Sequence, residues 1–186
     1  MKKMMMTLAA ALMAVSMNAQ VYVGGNIGFA SVGGEQGDDE TVMKILPEFG
    51  YNLNDEFAIG TVIGYAKSKV GGITKLSNLG FTNVNSESAF IVAPYVRYTF
   101  LKAGKVNLFI DGGVDFTSGS KGDYTALSAG LKPGVAVNLA DNISFVAHAG
   151  FVGYDMVNPD GDNNNVHAWG LDLGSNNLTF GLYFNF

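Results

Sequence analysis

Past Gln20 the apolar residues of this chain recur at every second position through eight successive segments, the period of a strand rather than of a helix. Val21, Val23, Ile27 and Phe29 share one face, with Tyr22, Gly24, Asn26 and Gly28 on the other. Met43, Ile45, Phe49, Tyr51 and Leu53 stand against Lys44, Glu48, Gly50 and Asn52. Phe57, Ile59, Ile63 and Tyr65 oppose Ala58, Gly60 and Gly64. Phe90, Val92, Val96, Tyr98 and Phe100 oppose Ala93, Tyr95, Arg97 and Thr99. Val106, Leu108, Ile110, Val114 and Phe116 oppose Asn107, Asp111, Gly113 and Asp115. Leu127, Leu131, Val135 and Val137 oppose Ser128, Gly130, Lys132 and Asn138. Ile143, Phe145, Ala147 and Phe151 oppose Ser144, His148, Gly150 and Tyr154, and Leu178 through Phe186 complete the set. One face is oily and aromatic throughout; the other is crowded with glycine and charge.

That inversion points to a membrane barrel. No apolar run after residue 20 is long enough for a spanning helix, so a chain of this composition enters a bilayer only as a closed sheet. The connections alternate in length: long near 32–40, 70–86, 118–123 and 156–165, short at 54–56, 102–104 and 140–142. The pattern predicts an all-β, eight-stranded, antiparallel, up-and-down transmembrane β-barrel, with both termini on the side of the short turns. In the last segment His167, Trp169, Leu171 and Leu173 sit on the opposite parity from Leu178–Phe186, and a bulge near 174–177 would reconcile them. A soluble β-sandwich also alternates. The aromatic residues near segment ends and the glycine and charge opposite them argue against it, because a narrow barrel packs that face inside.

The N-terminus supports export. Lys2 and Lys3, an apolar run from Met4 to Val15 and small residues to Ala19 have the order of a secretory signal. The expected division is a cleaved signal peptide over 1–19 and a barrel domain over 20–186, with cleavage after Ser16 as the alternative. The apolar run is short for a membrane anchor. Losing the two lysines takes the formal net charge from −5 to −7, which argues against nucleic acid as a partner. The chain has no cysteine, so it has neither disulfides nor thiolate chemistry.

Pro94-Tyr95-Val96-Arg97-Tyr98-Thr99-Phe100, Leu108-Phe109-Ile110-Asp111-Gly112-Gly113, Lys132-Pro133-Gly134-Val135 and the ending from Leu178 to Phe186 resemble the small outer membrane protein beta-barrel domain, or porin-family, proteins of the Bacteroidota. The likeness covers nearly the whole mature chain. It implies the eight-stranded architecture of OmpX and the OmpA barrel, in the outer membrane of a Gram-negative cell, and no particular activity. Phe180, Leu182, Phe184 and Phe186 resemble the C-terminal signal by which the barrel assembly machinery recognises its clients.

Function would show on the inner face. Counted up from the nearest short turn, Arg97, Glu48, Asp111 and Lys132 lie four to seven residues high, and they are expected to form one charge-balanced layer. Lys44 and Asp115 are expected to form a second pair above it. Eight strands leave an interior that side chains fill, so the expected role is structural or interactional at the cell surface. A small-solute or ion pore is the alternative. A surface adhesin is a third, and it would place specificity in the connection 70–86 with Lys75 and Phe81. The expected surroundings are outer-membrane lipid and lipopolysaccharide, the assembly machinery during biogenesis, and a monomeric state.

Enzymatic activity is not expected. The acyl-processing barrels pair histidine with serine, and here His148 is flanked by alanines while His167 has Ser175 only across a turn. Neither a cofactor nor a metal is expected. The Asn158–Asn165 connection is rich in oxygen ligands but lacks calcium-hand spacing, and turn chemistry accounts for it. The acidic stretch from Gly33 to Glu40 reads as a surface loop, and the Gly24, Gly25, Gly28 pattern as barrel packing.

Overall fold

The computed structural model describes residues 21–32, 40–68, 88–119, 125–158, 165–173 and 178–186, without the side chains of 27–32, 40–44 and 66–68. The signal segment, the bulge expected at 174–177, the connection 70–86 and most of the oxygen-rich 158–165 connection lie outside the described residues.

Among the described residues ten strands make eight wall segments. β1 (Val21–Val32), β2 (Glu40–Asn52), β3 (Phe57–Ser68), β4 (Ser88–Ala103), β5 (Val106–Gly119) and β6 (Thr125–Ala140) each form one segment. β7 (Ile143–Ala149) and β8 (Phe151–Asn158) together form the seventh, because β6 pairs with both. β9 (Val166–Asp172) and β10 (Leu178–Asn185) form the eighth. Every pairing is antiparallel, and β1 pairs with β10 to close the barrel.

Local chemistry fixes the short turns. At the first, the Asn54 side-chain oxygen accepts the N–H groups of Glu56 at 2.9 Å and Phe57 at 2.8 Å, which folds the chain back within three residues. β4 and β5 are joined by Gly104-Lys105, with Gly104 at φ 63° as a two-residue hairpin requires. Asp141-Asn142 joins β6 to β7. Near the last two turns one residue is extra on its strand, Phe100 and Leu139, so the register shifts and both side chains point to lipid.

The outward face carries two aromatic belts. Tyr51, Phe57, Tyr98, Phe100, Phe184 and Phe186 lie toward the short turns; Tyr65, Phe90, Phe116, Tyr154 and Trp169 lie toward the other end. On β3 the belts are eight residues apart, Phe57 to Tyr65. At ~3.3 Å per residue and a tilt of roughly 40°, that gives about 20 Å along the membrane normal, close to the apolar band of such barrels. Phe57 and Tyr98 are cross-strand partners whose rings stack at 4.9 Å.

The seventh segment departs from the sequence expectation. Phe151 is 2% exposed and faces the lumen, while Tyr154 is 41% exposed and faces outward, the reverse of the simple alternation. Gly150 is the reason. Its φ of 83° puts an irregular step between β7 and β8 and exchanges inside for outside, so Ser144, Val146 and His148 below it and Phe151, Asp155 and Val157 above it all point inward. The eighth segment makes the compensating switch: Tyr183 and Gly181 point inward on β10, but Trp169, Leu171 and Leu173 outward on β9.

A side chain at position 150 would need the left-handed backbone region and would meet Leu173 Cδ2 at 2.7 Å and the Asp172 carbonyl at 2.9 Å. Gly150→Val is expected to lower stability by about 1–3 kcal/mol. Urea unfolding of the lipid-reconstituted barrel measures this, and an unchanged midpoint would show that the wall accepts a regular strand there.

Candidate functional site: the lumen cluster

Strand register brings the inward charges together. Arg97 on β4 and Asp111 on β5 are direct cross-strand partners, and the pairing is bidentate: Nε to Oδ1 at 2.7 Å and an Nη to Oδ2 at 2.8 Å. The same guanidinium lies 3.5 Å from Glu48 on β2. Glu48, Arg97 and Asp111 are all buried, so this is a charge cluster withdrawn from water. Such a cluster persists only when every charged atom has a partner.

The partners are aromatic and neutral as well as ionic. Glu48 accepts hydrogen bonds from the hydroxyls of Tyr95 on β4 and Tyr183 on β10. The Tyr22 and Tyr95 hydroxyls are 2.6 Å apart, and because the Tyr95 proton goes to Glu48, Tyr22 donates to Tyr95. The Arg97 guanidinium carbon sits 4.0 Å from the centre of the Phe109 ring and 5.3 to 5.6 Å from those of Tyr95, Tyr183 and Tyr22. His148 Nε2 is 2.8 Å from Asp111 Oδ2; a carboxylate only accepts, so Nε2 carries the hydrogen. The other ring nitrogen is 3.5 Å from the Thr179 hydroxyl.

The inward rings fit because glycine faces them. Tyr22 lies against Gly50, Tyr95 against Gly60, Tyr183 against Gly24, Phe109 against Gly134 and Phe151 against Gly130, each so close that a Cβ on the glycine would collide with the ring. Below the cluster, at the short-turn end, Asn185 donates to Ser144 at 3.1 Å and Ser144 to Asn138 at 2.9 Å, which adds a neutral polar layer.

Two expectations about the charges need correction. Lys132 does not join the lower layer: it stands opposite Asp111 in register, but the Asp111 oxygens are taken by Arg97 and His148. The flexible lysine reaches up instead, and its Nζ pairs with Asp115 at 2.6 Å, 5.7 Å from the Phe151 ring. Asp115 therefore has Lys132 as a partner where the sequence suggested Lys44. Lys44 is placed on β2 opposite Gly28 and Ala66, and its side chain lies outside the described residues. Phe180, Leu182, Phe184 and Phe186 line up on the lipid-facing side of the last segment, 45 to 52% exposed.

Sequence reasoning placed Tyr22, Tyr95 and His148 on the inner face without giving them a role, and it did not single out Phe109 or Tyr183. Their signal was an inward aromatic at the height of an inward arginine. Among the described residues no group of three or more His, Cys, Asp or Glu could hold a metal.

Removing Arg97 strands two buried carboxylates. Arg97→Leu is expected to cost about 3–5 kcal/mol in urea unfolding. Adding Glu48→Gln and Asp111→Asn to that variant is expected to recover much of the loss. An unfolding midpoint unmoved by Arg97→Leu would mean that the cluster contributes nothing.

The sequence profile of the family described as "Outer membrane protein beta-barrel domain" matches residues 4–186. Among solved structures, that of Neisserial surface protein A is similar at 16% identity, covering 89% of this chain and 97% of the other, with a TM-score of 0.48. No curated protein matches. A profile match over nearly the whole chain, on a closed eight-segment barrel with lipid-facing belts, makes this chain a member of the outer membrane protein beta-barrel domain family.

Proposed function

We propose that this outer-membrane barrel is a structural, surface-facing component whose lumen does not conduct. The observation that carries the reading is the Arg97 site. One guanidinium is fixed between two carboxylates and surrounded by four rings drawn from β1, β4, β5 and β10, which supports a bore filled by side chains at that height. An eight-stranded barrel has little further interior to spare. A polar solute passing this level would have to separate charges that have no water to go to.

One observation favours the pore as a second reading. The Lys132 and Asp115 side chains are 33% and 19% exposed, against 9% and 8% for Arg97 and Asp111, so the upper pair borders open space where the lower pair does not. A conducting path would thus meet its tightest charge pairing at the lower cluster. In planar bilayers the purified full barrel is expected to give no steady unitary openings. Regular openings that persist across preparations would establish the pore instead.

The same reading includes export through the periplasm after loss of residues 1–19, residence as a monomer among outer-membrane lipid and lipopolysaccharide, and recognition by the assembly machinery through Phe180, Leu182, Phe184 and Phe186. These four side chains form one lipid-facing row on the last wall segment, which supports the last point. Phe186→Ala is expected to leave refolding in detergent intact, seen as heat-modifiable gel mobility, while lowering the outer-membrane yield in cells several-fold. An equal yield would remove the C-terminal row from biogenesis.

A further inference from the structure

The wall closes unevenly where its first and last segments meet. β1 and β10 share a register only over Tyr22–Gly25 against Leu182–Asn185. On their other edges both strands stay paired farther, β1 with β2 up to Val32 and β10 with β7 up to Leu178. Among the described residues no pairing joins Asn26–Phe29 to Leu178–Gly181. The unpaired stretch lies in the half of the barrel away from the short turns.

Two hydrogen bonds set the phase of the free edge. The Phe186 N–H donates to the Val21 carbonyl and the Asn185 N–H to the Asn142 carbonyl, each at 2.9 Å. Main-chain groups alternate sides along a strand, so the even-numbered residues of β10 aim N–H and C=O at β1 and the odd-numbered ones at β7. Leu178 and Phe180 therefore present their main-chain groups to the unpaired edge toward β1, while Thr179 and Gly181 face β7, with which they are in register.

The two sides of this unpaired edge differ in chemistry. Toward lipid, Leu178 and Phe180 are 44% and 52% exposed. Leu171, Leu173 and Trp169 on the same wall segment reach 64%, 71% and 86%, above every other large apolar residue of the described wall. Toward the lumen stand the Thr179 hydroxyl, the His148 ring beside it and the Asn26 amide, whose oxygen lies next to Gly181. A hydrocarbon tail alone would leave the N–H groups of Leu178 and Phe180 unsatisfied, which a bilayer interior penalises heavily. Water alone would leave the oily border wet. An acyl chain with its carbonyl satisfies both demands.

We propose that the seam between β1 and β10 binds an acyl-chain amphiphile. Its tail lies against Leu171, Leu173 and Phe180, and its ester, amide or carboxylate oxygens accept the N–H groups of Leu178 and Phe180. Its polar end lies toward Thr179 and Asn26. This binding role goes beyond the structural reading above, and a non-conducting lumen is compatible with it.

Amide exchange of the full barrel by NMR tests this in three media: an alkyl-glycoside micelle, which has no carbonyl, the same micelle with free fatty acid, and diacyl-phospholipid bicelles. In the alkyl glycoside the amides of Leu178 and Phe180 are expected to exchange on the order of 100-fold faster than those of Thr179, Gly181, Leu182 and Phe184. A carbonyl-bearing amphiphile is expected to slow those two amides and to give contacts between them and acyl-chain protons. Slowing in the bicelles identifies a membrane lipid as the source, and slowing with fatty acid alone a free acid. Uniformly slow exchange in the glycoside, with cross-strand contacts from 27 to 180 and from 29 to 178, overturns the proposal by showing a sealed wall. Fast exchange in all three media overturns it by showing a seam that holds no amphiphile.

Discussion

A bilayer interior offers no hydrogen-bond partner to a peptide group, and this one deprivation governs the architecture. It drives the strands to pair along their edges, and across eight wall segments that pairing makes a tube, closed here through the lower part of the β1–β10 seam. Closure in turn sorts the side chains: most of the oily ones face lipid, while charges, glycines and a few rings and aliphatics such as Phe109, Phe151 and Val146 are pressed into a bore that side chains fill. The alternation that opens the sequence is the imprint of that sorting.

The bore then poses an electrostatic problem that the cluster around Arg97 answers. Two carboxylates and one guanidinium do not balance by counting charges, and the nearby lysine is engaged elsewhere. What remains of the negative charge is met by hydrogen-bond donors: two tyrosine hydroxyls on Glu48 and an imidazole N–H on Asp111. Hydrogen bonds to ionised acceptors are the strong ones, so donors such as the tyrosine hydroxyls can do in this bore part of what a second cation would do in water. The four rings around Arg97 add attraction of the same sign without adding charge.

Much of this was legible in the residues because strand geometry is so regular. Arg97 and Asp111 could be brought into one layer by counting from the short connection at 102–104, but the two-residue turn at Gly104-Lys105 and the extra residue at Phe100, which make them direct partners, were not in that count. The count failed where regularity failed. Nothing in a period-two pattern announces that Gly150 steps out of it, so Phe151 and Tyr154 were read on each other's faces. Lys132 was misplaced for a different reason. Register locates a Cα, but a four-carbon side chain reaches across a layer, and competition for the Asp111 oxygens decides where it ends. The role of Phe109 and Tyr183 escaped because an inward aromatic has no meaning until the cation it surrounds is known to lie at the same height.

The rings seated on glycines have a consequence for how such a wall can change. Each pair behaves as one volume shared between neighbouring strands, so neither position has an independent set of tolerated residues. Enlarging Gly50 is admissible only if Tyr22 shrinks, and trimming Tyr95 opens a void that something at position 60 must fill. The bore can therefore change only in correlated steps, one strand's ring with its neighbour's glycine. That coupling gives the inner surface a long memory of its shape.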